Sequence, residues 1–105
     1  MAEIRWTLTA ERDLRTIEEY VARDSPTYAV RLVDSIVEAV ERLESFPLAG
    51  RMVPEFERAD LREVIFGSYR VVYLVRQETV AILRVVHGAR DMIRLAEHVP
   101  WETIE

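Results

Sequence analysis

The stretch Tyr69-Arg70-Val71-Val72-Tyr73, followed eleven residues after Tyr73 by Arg84-Val85-Val86-His87-Gly88-Ala89-Arg90-Asp91, decides how this chain is read. The two apolar segments read as neighbouring strands. Arg70, Arg84, His87 and Arg90 lie on or beside them. Arginine is costly in a strand unless an anion reaches it or a carboxylate pairs with it. The pattern therefore allows two outcomes. Either the arginines face an acidic or phosphate-bearing partner, or each one snorkels at a sheet edge or pairs with Glu55, Glu63 or Asp91. In an ideal strand Arg84 and His87 point to opposite sides, so a bulge or bend near Gly88 is needed to bring them together.

Working outward, Gly67-Ser68 reads as a tight hairpin turn and Leu61 to Phe66 as the strand before it. Val80 to His87 is apolar on both faces, as expected of an interior strand. A loop from Met52 to about Asp60 precedes the hairpin, and Phe46-Pro47-Leu48-Ala49-Gly50-Arg51 ends a helix. That helix carries Ala29, Leu32, Val33, Ile36, Val40 and Leu43 as one apolar stripe, with Ser25 as its cap and Pro26 in its first turn. An earlier helix places Leu14, Ile17 and Val21 on one side, with Thr9 as the expected cap and Glu11 in the first turn. Ile4, Trp6 and Leu8 alternate with polar residues, as in a half-buried strand.

The expected architecture is α+β, a single domain over residues 1–105 in the order β-αα-βββ. An antiparallel sheet carries the helix hairpin on one face, and a short C-terminal helix runs from about Asp91 to His98. The other sheet face has little in the sequence to cover it, so it is expected to be open to a partner.

Composition narrows the function. All fourteen basic residues other than histidine are arginine, and cysteine is absent, so lysine and thiolate chemistry are excluded. The net charge is −5. Residues 1–49 carry −4, residues 50–94 carry +2 and residues 95–105 carry −3. Such a chain is a poor non-specific nucleic-acid binder but admits a local anionic site among its later strands. No cofactor is expected. No metal site is expected either, since two histidines eleven residues apart make no ligand cluster. No apolar run approaches the roughly 20 residues of a membrane span. The N-terminus lacks a basic n-region and an apolar h-region, so the expected compartment is the cytoplasm.

The order of elements, the Phe46-Pro47…Gly50-Arg51 helix exit, Arg62 before the hairpin, Tyr69 to Tyr73 and Arg84 to Asp91 together resemble the RelE/ParE superfamily of toxins from type II toxin–antitoxin modules. The resemblance covers nearly the whole chain. It implies a growth-arresting toxin held by a cognate antitoxin in a hetero-oligomer, with either of two targets.

RelE-like members cut mRNA on the ribosome. The resemblance carries that branch's two phosphate-holding arginines to Arg70 and Arg90. Its strand lysines fall on Leu61 and Glu63 and its late tyrosine on Ala96, so its acid and base are missing. A second nuclease branch, similar to YoeB, implies Glu55 as base, Arg70 as phosphate clamp and His87 as acid, although His87 is about one residue out of register. Only in that case is the protein an enzyme, a metal-independent mRNA endoribonuclease.

ParE-like members inhibit DNA gyrase and commonly end as Arg84 to Asp91 does. The lost lysines, that ending and the acidic balance favour inhibition of gyrase. Whichever the target, Arg51, Arg62, Arg84 and Arg90 are the expected contacts to target or nucleic acid. The third alternative is an inactive toxin that only binds its antitoxin.

Overall fold

The computed structural model describes residues 1–88. The C-terminal helix expected from Asp91 to His98 lies outside the described residues, as do Arg90 and Asp91. Strand β1 (Glu3–Trp6) leads into α1 (Leu8–Ala22), α2 (Pro26–Glu41) and a 3-10 turn (Arg42–Glu44). Strands β2 (Arg51–Met52), β3 (Leu61–Phe66), β4 (Tyr69–Arg76) and β5 (Thr79–His87) follow.

The cap of helix α1 is Thr7, two residues before the expected Thr9. Thr7 is extended, and its hydroxyl oxygen accepts the Ala10 N–H at 3.1 Å, satisfying an orphan amide of the first turn. The same hydroxyl donates to the Ile82 carbonyl at 2.9 Å. This second bond ties the helix start to β5, which Thr9 in the first turn could not do. Ser25 caps α2 as expected, accepting from the Tyr28 N–H, with Pro26 at the first helical position.

The sheet runs in the order β1-β5-β4-β3-β2. Three of its four pairings are antiparallel, but β1 lies parallel to β5, with Glu3 opposite Thr79 and Trp6 opposite Ile82. The sheet is therefore mixed, which corrects the antiparallel expectation. The reason is where β1 must end: at the Ile82 level, where Thr7 anchors the helix. The reverse direction would start α1 at the far end of the sheet. Strand β2 is an addition to the expected order. It spans only two residues and shows no alternation from which a strand can be read.

One face of the sheet packs against the helices. Leu32, Ile36, Val40 and Leu43 meet Val71, Tyr73, Val80, Ile82 and Val85, with Leu14, Ile17 and Val21 of α1 around them. Each fully buried aliphatic side chain there is worth about 1.5–3 kcal/mol relative to exposure.

The second face is not open, contrary to the expectation from sequence. Val53, Leu61, Val72, Leu74, Ala81, Leu83 and Val86 are buried together, and Phe56 packs on them. The loop between β2 and β3 turns inward and contributes Val53 and Phe56 to this second core. Val53 and Phe56 stand isolated among Glu55, Glu57 and Arg58 in sequence, so no local pattern marks this inward turn.

Candidate functional site: an arginine–carboxylate cluster at the sheet edge

The register of β2, β3 and β4 sets Arg51 opposite Glu63, Glu63 opposite Val72, and Arg70 opposite Ile65. Arg70 and Glu63 are therefore diagonal neighbours on the face away from the helices. The Arg70 side chain is 9% exposed and that of Glu63 is fully buried. The Arg70 Nε–H donates to Glu63 Oε1 at 2.6 Å. Its two terminal nitrogens donate to the two oxygens of Glu55, at 2.9 and 2.8 Å, in a bidentate fork.

Glu63 uses its other oxygen to accept from Arg51 Nε at 2.7 Å, while the Arg51 side chain stays 60% exposed. The chain of charges is Glu55–Arg70–Glu63–Arg51, alternating in sign. Hydrogen bonds from Arg70 hold the Glu55 carboxyl below its usual range against the opposing effect of burial, and Arg51 adds to the lowering. The same pairing raises Arg70 well above the ordinary arginine value. Arg70 is thus a buried cation made tolerable by two carboxylates.

The convergence of Glu55 and Arg70 is real, and so is the pairing with Glu63. Among the two outcomes open to Arg70, the structure shows the internal pair.

His87 is not part of this cluster. It is the register partner of Tyr69, and its ring meets the Tyr69 ring edge-on at 5.2 Å between centroids. Tyr69 packs on the helix-side core, whereas Arg70 turns to the opposite face, so the sheet stands between His87 and Arg70. A register shift in β5 leaves Leu83 unpaired between the Val72–Arg84 and Tyr73–Ile82 pairs. It precedes Arg84, and the positive φ of Gly88 (+70°) follows His87. Neither changes how Arg84 and His87 face relative to one another.

Arg84 is held by Asp13 of α1, through Nε at 2.8 Å and a terminal nitrogen at 3.2 Å. The same carboxylate accepts the Val85 backbone N–H at 2.9 Å. Strand β1 ends at the level of Ile82; among the described residues no strand neighbours the edge of β5 beyond it, and Asp13 supplies an acceptor there. Arg62 also has a structural bond set. It donates to the Ala59 carbonyl and the Gly50 carbonyl, both at 3.0 Å, fastening the inward loop to the helix exit.

Two anchors were not legible as such in the sequence. Asp13 reads as one more acid on a solvated helix face, since nothing local signals a partner more than seventy residues away. A strand tyrosine reads most simply as packing with its hydroxyl at the rim. Tyr73 is instead fully buried. Its hydroxyl donates to the Pro47 carbonyl at 2.8 Å and accepts from the Gly50 N–H at 2.9 Å. A Cβ on Gly50 would stand 2.5 Å from the Glu63 carbonyl oxygen and 2.6 Å from the Tyr73 hydroxyl, so this glycine is required by close approach. The signal was the pair itself, a Pro-x-x-Gly helix exit and a strand tyrosine.

Among the described residues no group of three His, Asp or Glu side chains could hold a metal ion, and no helix is long and apolar enough to cross a membrane.

The chain is 35% identical over 91 residues to "Toxin RelE2" of Caulobacter vibrioides, covering 86% of this chain and 99% of that protein. It is 36% identical over 87 residues to "Putative toxin Y4kP" of Sinorhizobium fredii, covering 81% and 86%. Among solved structures, it is similar to a chain of the chromosomal ParDE toxin–antitoxin system of P. aeruginosa, with a TM-score of 0.71 and 27% identity over 84% of this chain and 97% of the other. It is also similar to a chain of the RelBE2 toxin–antitoxin complex of Mycobacterium tuberculosis, with a TM-score of 0.61 and 31% identity over 82% and 96%. Residues 4–92 match the family described as ParE toxin of type II toxin–antitoxin system, parDE. The chain therefore belongs to the ParE toxin family, within the RelE/ParE superfamily of type II toxin–antitoxin toxins.

Proposed function

We propose that this toxin arrests growth by inhibiting DNA gyrase in the cytoplasm, and that a cognate antitoxin neutralises it in a hetero-oligomeric complex. The observation that carries the choice of target is the commitment of Arg70. A ribonuclease must bring cations to a crowded phosphate and place an acid and a base on either side of it. Here the Arg70 guanidinium is enclosed by Glu55 and Glu63, Arg84 is taken by Asp13, and His87 lies across the sheet. The acidic balance of the chain adds to this, because a ribosome-bound nuclease works among phosphates. The antitoxin is supported by the similarity to chains from the ParDE and RelBE2 systems.

The alternative is a ribosome-dependent mRNA endonuclease using Glu55, Arg70 and His87. One observation favours it, the direct contact of Glu55 with Arg70. It requires that Glu55 release Arg70 and that His87 be reached around the sheet. Arg51, Arg62, Arg84 and Arg90 remain candidate target contacts under either reading. All three described ones are bonded within the chain, and Arg51, paired with Glu63 through Nε, is the most exposed of them.

Purified toxin incubated with gyrase and supercoiled plasmid is expected to give a stabilised cleavage complex, seen as linear plasmid. The same preparation is expected to leave mRNA intact on translating ribosomes. Cleaved mRNA with unaffected gyrase would reverse the assignment.

A further inference from the structure

The two carboxylates on Arg70 differ in how they are held. Glu63 sits on β3, paired on both sides by Arg51 of β2 and Val72 of β4, and its side chain is fully buried. Glu55 comes from a turn in the loop between β2 and β3, and its side chain is 29% exposed. If Glu55 withdraws, both terminal nitrogens of Arg70 face the space it occupied. The cation of Arg51 is close enough to act electrostatically on that position and is itself mostly in solvent. With Glu63 retained, the two arginines leave one unbalanced positive charge. The opening thus has the charge and the fork of a site for a single planar anion.

We propose that the Arg70 fork is an exchangeable carboxylate site, with Glu55 as its resting occupant and an acidic side chain of a partner peptide as the incoming one. A carboxylate fits better than a phosphate for two reasons. It reproduces the bidentate geometry that Glu55 already makes. It also brings one negative charge, where a phosphate dianion would bring a second charge up to the buried Glu63. The proposal does not depend on gyrase being the target. Exchange needs little net energy, because one carboxylate replaces another on the same donors, so the partner's remaining contacts decide the outcome. Removing Glu55 is therefore expected to expose the Arg70 fork while Glu63 keeps its bonds to Arg70 and Arg51.

The test compares wild type, Glu55→Ala and Glu55→Gln, each titrated with the capped tripeptide acetyl-Glu-Glu-Glu-amide and, separately, with inorganic phosphate. Binding is followed by the NMR signal of the Arg70 Nε–H. Glu55→Ala is expected to bind the tripeptide at least about tenfold more tightly than wild type, a difference of about 1.4 kcal/mol, with the Arg70 signal moving. Glu55→Gln keeps a neutral acceptor on the fork and is expected to fall between the two. If Glu55→Ala does not fold, the Gln variant alone decides, and an affinity equal to wild type overturns the proposal. It is also overturned if Glu55→Ala gains nothing, if the Arg70 signal stays still, or if phosphate binds more tightly than the tripeptide.

Discussion

Arg70 and Tyr73, three positions apart on one strand, point to opposite faces and hold different parts of the molecule. Replacing Arg70 by Ala strands Glu63 in the interior with only Arg51 for company. The expected loss is about 3–5 kcal/mol. Replacing Arg51, whose guanidinium is largely in solvent, is expected to cost about 1 kcal/mol or less. Urea denaturation of the two variants checks this contrast. A growth assay with Arg70→Ala therefore reports folding as well as function, and the variant's stability has to be measured beside it. Tyr73→Phe leaves the Gly50 N–H and the Pro47 carbonyl without their partner in a buried site, at an expected cost of about 1–3 kcal/mol. The charged cluster also sets a pH dependence. Glu55 is lowered by hydrogen bonds from Arg70, and Asp60 by hydrogen bonds from Arg58, in each case against burial. A carboxyl lowered in the folded state binds protons more weakly than in the unfolded chain. Its stabilisation is complete above the unfolded value, about pH 4, and is lost as pH falls through the lower folded value. Urea midpoints are expected to decline on that acid limb, and Glu55→Gln is expected to make the limb shallower.

At the scale of the elements, the unusual feature among the described residues is an edge bonded by a side chain rather than a strand. Asp13 stands in for a neighbour of β5 beyond Ile82, accepting the Val85 N–H and holding Arg84. Asp13→Ala is expected to cost about 1–3 kcal/mol and to speed hydrogen exchange at Val85 far more than at Val71, which sits in the sheet centre. Amide exchange followed by NMR separates local from global loss. The elements also show what a sequence discloses. The stripe from Leu32 to Leu43 and the Gly67-Ser68 turn are local patterns, and the structure repeats them almost residue for residue. The pairing of Arg70 with Glu55 or Glu63 was legible as chemistry, because a strand arginine needs a carboxylate. The direction of β1 was not, since it depends on Thr7 reaching Ile82 across seventy-five residues. Nor was the inward turn of the loop legible, because Val53 and Phe56 are isolated among charged neighbours. Strand β2 was hidden by its length alone.

For the molecule as a whole, family membership fixes the class of protein and leaves the target to the site. Within the described residues the cations that a phosphate-cutting centre would use are drawn into internal pairs, and the histidine stands on the other side of the sheet. This arrangement supports the proposal that the toxin acts by binding, with DNA gyrase as its expected target. The most direct test is induction of the toxin in cells without its antitoxin, with DNA and protein synthesis pulse-labelled separately over the first minutes. Gyrase inhibition predicts that DNA synthesis falls first, while translation continues. Translation stopping first, with DNA synthesis intact, would contradict it and return Glu55, Arg70 and His87 to the position of catalytic residues.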